Sequence, residues 1–235
     1  MQKKTFSFFF FLALFFFSPH LPAENPGWCP LCSMNLSMYQ TTNNRLTLST
    51  GETFQTCSIF CAAQIYEKTS LEVRRWEVMD FSGKQFIDAR EAFWVIGSDL
   101  PGVMTAVSKV AFSSQEEARQ FQKGHTGLLG TFKEALDRTL ADMGSDKKMI
   151  MDRVAKRSLR GKELVQNQGC LGCHYDGGQA RSFTNPELIS KMDSRIRIKE
   201  AIVKGSSAMK GYAGKVDEKD LHSITLYLWS LKENR

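Results

Sequence analysis

The run GCLGCH, Gly169 to His174, decides how the second half of the chain folds. Two thiols three positions apart, followed at once by an imidazole, have the spacing of a c-type haem attachment. At a helix start, Cys170 and Cys173 reach the two haem vinyl groups and His174 falls under the iron. A thioredoxin-like redox site shares the Cys-x-x-Cys spacing, but it sits between a strand and a helix. Here the preceding RSLRGKELVQNQ, residues 157–168, has a helical pattern.

Such a domain needs a sixth iron ligand further along. Met209, in the turn-rich SSAMKGYAGKVDEKDL, is the expected one, with Met192 and His222 as competitors; the ordinary reading of His222 is a half-exposed helix histidine. The last helix, DEKDLHSITLYLWSLK, sets Leu221, Ile224, Leu228 and Trp229 on one face, with acidic residues at its start and Lys232 at its end. Together these features resemble a small class I cytochrome c, from about Arg157 to Arg235. The resemblance implies an all-α monohaem domain with His/Met ligation, which raises the haem potential and suits one-electron transfer.

Charge also separates the two halves. Residues 24–150 carry 13 basic and 15 acidic groups, net −2, whereas residues 151–235 carry 16 and 10, net +6. With no nucleic-acid-binding motif beside it, the basic half points to an acidic redox partner rather than to nucleic acid. At the other end, Lys3 and Lys4 precede an apolar run from Phe6 to Phe17, then Ser18, Pro19 and Ala23. This is the layout of a secretory signal over 1–23, with too short an apolar run to span a bilayer. A periplasmic protein is expected, an uncleaved N-terminal anchor being the weaker alternative. No lipid anchor is expected, because Pro26, Gly27 and Trp28 precede Cys29.

Between the signal and the haem domain the patterns are mixed. RLTLST and RRWEVMDFSGKQFIDA alternate as strands, the second bending at Ser82-Gly83, and AFWVIGS and AVSKVAF follow. TFQTCSIFCAAQIYEK reads as a helix. Ser114 with Glu117 forms a capping box opening SQEEARQFQK, which Gly124 closes. An α+β domain of short strands with interspersed helices is expected over 24–135. A helical linker follows over 136–156, with Gly144-Ser145 as its breaker, and then the cytochrome domain over 157–235.

The remaining cysteines are Cys29 and Cys32 in WCPLCSMNLSM, and Cys57 and Cys61 four residues apart. In an oxidising compartment close pairs are usually disulfides. The four also have a tetrathiolate layout that zinc would accept. Thioether sulfur favours Cu(I), and Met34 and Met38 stand close behind Cys32. Spacing alone leaves disulfide, zinc and copper open.

Residues 29 to about 135 resemble the NosL family of copper-binding accessory proteins of nitrous oxide reductase. The matching features are CPLCSM at Cys29–Met34 for the family's C-P-x-C-G-M, the FIDA strand, FWVIGSDLPGVMTAVSKVAF where the family has a G-P-M-G turn before a strand, and SSQEEARQFQKGHTG where it has a helix ending near His-Gly-Gly. Ser33 replaces the motif glycine, and only Gly102 and Met104 survive of the turn. The resemblance implies Cu(I) held by Cys32 and Met34, with Cys29, Cys57, Cys61, Met38, Met104 and His125 as further candidates. It also implies nitrous oxide reductase as the copper acceptor. The expected protein is therefore a metal and electron carrier rather than an enzyme, with copper-reductase activity left open. Its haem c would keep copper reduced or feed the partner. The competing expectation is a plain electron-transfer cytochrome with a zinc- or disulfide-stabilised docking module.

Overall fold

The computed structural model describes residues 27–205 and 209–233; the signal expected over 1–23 lies outside them. Among the described residues no helix is long and apolar enough to cross a membrane.

Two small antiparallel sheets form the first half. One has strand order β2-β1-β3-β4, from β1 (Asn44–Leu48), β2 (Thr53–Thr56), β3 (Val73–Met79) and β4 (Phe86–Asp88). The other is β6-β5-β7, from β5 (Phe93–Ile96), β6 (Lys109–Phe112) and β7 (Leu128–Gly130). A bridge between Asp80 and Ala111 ties the sheets together. Alternation along β1 buries Asn44, Leu46 and Leu48, as the period of two requires. This face packs with Trp76, Val78 and Trp94 under helix α1 (Ile59–Lys68). A second apolar cluster joins Val95, Val110 and Phe112 to Ala118 and Phe121 of α2 (Gln115–His125).

Three expectations need correcting. The stretch read as one helix over TFQTCSIFCAAQIYEK opens as strand β2, because Thr53–Thr56 pair with β1, and only from Ile59 does it become helical. Helix α2 has its expected N-cap, with the Ser114 hydroxyl accepting from Glu117 N, but runs through Gly124 to His125, after which Thr126 turns the chain at φ 58°. Gly144-Ser145 breaks nothing: α3 is one helix of 36 residues, Phe132–Asn167. Its start is fixed by a reciprocal Thr131/Glu134 capping box. The pairs Lys133–Asp137 and Arg138–Asp142 brace the following turns, so the roughly 1 kcal/mol that an interior glycine costs is absorbed.

Helix α3 is the spine of the molecule. Its first turns close the sheet core with Phe132, Ala135, Leu136, Leu140 and Met143, and its last turns carry Leu164 and Val165 into the helical core of the second half. That core is completed by α4 (Pro186–Lys191), α5 (Arg195–Lys204) and α6 (Glu218–Glu233). Helix α6 buries Leu221, Ile224 and Leu228 as expected. It also buries His222, Ser223, Thr225 and Leu226 on its other sides. A helix apolar or buried all round must lie between two partners.

Candidate metal and haem sites

Cys29 and Cys32 lie on a tight knuckle. Ser33 N donates to Cys29 O and Cys29 N to Met34 O, both at 2.8 Å. The knuckle closes only because Ser33 adopts φ 59°, a left-handed conformation that favours glycine. The serine standing where the family motif has glycine is offset by its hydroxyl, which donates to Cys32 O at 2.6 Å. Cys57 ends the segment before α1, one residue ahead of the N-cap Ser58, and Cys61 sits in the first turn. The two are therefore not helical i,i+4 neighbours, yet the capped entry of α1 still brings their sulfurs to 3.7 Å.

The four thiols converge. Cys32 Sγ is 3.4 Å from Cys57 Sγ, and the sulfurs of Cys29, Cys32, Cys57 and Cys61 all lie within 4.8 Å of one another. Four sulfurs about 2.3 Å from a central metal would stand about 3.8 Å apart at tetrahedral corners, so this donor set fits a thiophilic ion. Three of the cysteines are fully buried, and Cys32 is 6% exposed. Their protons are shared unequally. S–H donation from Cys32, Cys57 and Cys61 holds the Cys29 thiol well below the usual thiol range. Hydrogen bonding with Cys29 foremost, and burial, push Cys57 and Cys61 well above it. Metal binding here must release protons.

The sulfur-rich wall is completed by Met34 and Met104, both packed against the cluster with Leu31, Val103 and Met143. Met104 holds φ 57°, a conformation few residues adopt without support. Asp146 of α3 steadies this loop through a 2.8 Å bond from Ala106 N. Two candidates lie elsewhere. Met38 is 48% exposed and outside the cluster. His125 stacks on Phe121 and pairs its Nδ1 with Asp99 at 3.0 Å, held at the end of α2 by the geometry of that helix.

In the second half, Cys170, Cys173, His174, Met192 and Met209 line a cavity of about 310 Å³ with Phe183, Ile224 and Leu228. His174 Nδ1 lies 2.8 Å from the Arg181 carbonyl. This bond assigns the proton to Nδ1 and leaves Nε2 free as a ligand. Phe183 stacks on the ring at 4.4 Å, fixing its plane. The approach of Met209 depends on Gly205, at φ 70°, where a Cβ would meet Met209 O at 2.3 Å. Both candidate methionines reach this cavity; His222 does not. Nor is His222 half-exposed. It is 7% exposed, turned to the other side of α6, with Nδ1 3.5 Å from Ser33 Oγ.

The second half thus rests on the cysteine knuckle. Arg195 donates to Leu31 O. Lys199, fully buried and paired with Glu218, stands 5.3 Å over the Trp28 ring. Burial, with the charges of Lys199, Arg157 and Arg195, lowers the His222 imidazole to about 3. Arg157, Arg195, Lys199 and His222 belong to this site, and no local motif marks them. The one sequence signal was the want of a polar face on α6.

Residues 21–140 match the NosL family model. The chain belongs to the NosL family. Beyond that domain, residues 157–228 match the model of cytochrome c oxidase, cbb3-type, subunit III, so the chain joins a NosL domain to a cytochrome c domain. The HTH-type transcriptional repressor CutR of Bacillus subtilis (strain 168) is 28% identical over 123 residues, 52% of this chain and 65% of that relative's length. The copper chaperone NosL from Shewanella denitrificans is 25% identical, over 46% of this chain and 87% of that one, with a TM-score of 0.39.

Proposed function

We propose that this NosL protein is an exported Cu(I) carrier for nitrous oxide reductase whose own cytochrome domain exchanges single electrons at the copper site. The observation that carries the reading is the place of α6. It turns Ile224 and Leu228 to the haem cavity and His222 and Leu226 to the cavity beside Cys32 and Met34. One helix, about 10 Å thick, separates the two sites.

The chain's residues divide the work. Cys29, Cys32, Cys57 and Cys61 offer soft thiolates in a dry pocket, and Met34 with Met104 adds thioether at its edge, a combination that favours Cu(I) over harder ions. Cys170 and Cys173 would hold haem c covalently, His174 and Met209 would bind its iron, and the Arg181 carbonyl orients His174. The haem supplies one-electron exchange. Since Cu(II) oxidises thiols, an adjacent electron donor protects the cluster as well as its cargo. The chain is a carrier of metal and electrons rather than a catalyst.

One observation favours a second reading. Four thiolates by themselves close a tetrahedral shell, which is what structural zinc uses; the module would then be a docking platform for a plain electron-transfer cytochrome. The test is transfer of copper from the full chain to apo-nitrous oxide reductase under anaerobic conditions, with the haem reduced and oxidised. Transfer that is sustained with reduced haem and fails with oxidised haem supports the reading. Equal transfer in both states removes the role of the haem, and no transfer removes the acceptor.

A further inference from the structure

Beside the cluster lies a groove of about 820 Å³, walled by the knuckle, the loop 100–105, the middle of α3 and the Arg195–His222 side of the cytochrome domain. Cys32 and Met34 open onto it, whereas Cys29, Cys57 and Cys61 do not. Any exchange of metal therefore passes the Cys32 edge.

The groove has one sign of charge. Lys68, Lys109, Lys147, Arg153, Arg157 and Arg195 line it, and no aspartate or glutamate does. Lys68, Lys147, Arg153 and Arg157 form no ion pair among the described residues. Lys109 is 5% exposed. Its ammonium donates to Thr105 Oγ1 at 3.3 Å and Val107 O at 3.1 Å, bonds that use two of its three protons. Between the cations the wall is apolar, with Leu31, Val103, Ile150, Val154 and Leu226. A concave, mostly apolar site of this size with converging charges suits a small ligand. With Cys32 only 6% exposed, its thiol is reached more readily by a small molecule seated in the groove than by the surface of a folded partner.

We propose that this groove receives a small, carboxylate-bearing thiol compound that brings Cu(I) as its anionic thiolate complex. The carboxylates sit among Lys109, Lys147, Arg153 and Arg157, which places the complexed metal against Cys32 and Met34. The transfer is a redox-neutral ligand exchange. A bond forms from Cys32 Sγ to copper, the bond from copper to the donor sulfur breaks, and the proton lost by Cys32 goes to the departing thiolate. Copper remains Cu(I) throughout.

The inference rests on the copper reading above, so its test carries an arm that does not involve copper. In the first arm, binding of S-methylglutathione, an anionic thioether with no free thiol, to the full metal-free holocytochrome is measured by calorimetry. It should bind, and K147Q/R153Q/R157Q should weaken it by about tenfold. No binding to the parent protein overturns the groove assignment whatever the copper result. In the second arm, anaerobic loading is followed from Cu(I)–glutathione and from the complex with uncharged dithiothreitol. Loading from glutathione should fall about tenfold in the triple variant and fall with added salt, while loading from dithiothreitol stays unchanged. Equal effects on both donors, or none on either, overturn the proposal. Uptake from neither donor, alongside S-methylglutathione binding, sinks the copper reading and leaves the anion site standing.

Discussion

The crossing of α3 and α6 can be broken with one methyl group. Gly161 lies where the two helices touch: a Cβ there would stand 2.0 Å from Ser223 O, 2.5 Å from Ser223 C and 2.9 Å from Tyr227 Cβ. An ordinary carbon–oxygen contact is about 3.3 Å, so Gly161→Ala forces the helices about 1.3 Å apart, with backbone on the far side unable to swing away. Leu164, Val165, Ile224 and Leu228, all nearly fully buried along this seam, lose contact together. Each contributes about 1.5–3 kcal/mol by burial. A gap of this size forfeits at least about a quarter to a half of close-contact attraction, about 2–6 kcal/mol over the four side chains. Alanine's better helix propensity returns about 1 kcal/mol. The net loss of about 1–5 kcal/mol lowers the midpoint of a domain this small by roughly 4–40 °C. Far-UV circular dichroism melts of the holoprotein measure it, with Gly144→Ala as the control. Gly144 is in the same helix and has nothing within 4 Å of an added Cβ, so that substitution should stabilise by up to about 1 kcal/mol. If both substitutions shift the midpoint in the same direction, the close-crossing argument is refuted.

Acid stability should depend on His222. Its folded value of about 3 lies below the unfolded value of about 6.5, so its contribution is complete above pH 6.5 and is lost as pH falls toward 3. The slope is about 1.4 kcal/mol per pH unit, or about 2–3 kcal/mol by pH 4.5, and denaturation of His222→Gln across this range should lack that share of the loss. Glu218→Gln strands the fully buried Lys199 ammonium and should cost about 3 kcal/mol. Adding Lys199→Met should recover most of it in the same melts, and no recovery would show that the pair is not the cause.

Legibility differed by element. The haem motif and the knuckle were plain because their chemistry is local: Cys170, Cys173 and His174 are neighbours, as are Cys29, Cys32 and Met34. Strands β1 and β3 were legible from alternation; β5 and β6 followed in the same run of strands, although β6 is buried at every position. Strand β2 was not, because Thr53–Thr56 owe their conformation to pairing with β1 and precede a true helix without a breaker. The linker misled through Gly144, whose cost is outweighed by the cap and ion pairs around it. Convergence of Cys57 and Cys61 on the knuckle was open in the tetrathiolate layout and is found in the fold, whereas the seating of His222 against Ser33 across 189 positions depends on tertiary packing that no periodicity records. His125 looked like a ligand for the opposite reason: its place in the pattern was right, but the fold carries it to Asp99.

Four thiols and their methionine wall are proposed to hold Cu(I) beside a haem. The most direct measurement is the metal content and metal-edge X-ray absorption of the full chain purified anaerobically with reductant. Copper in a shell of sulfur alone is expected, lost from Cys32→Ser and weakened in Met34→Leu. Zinc without copper, with Met34→Leu indifferent, would contradict it.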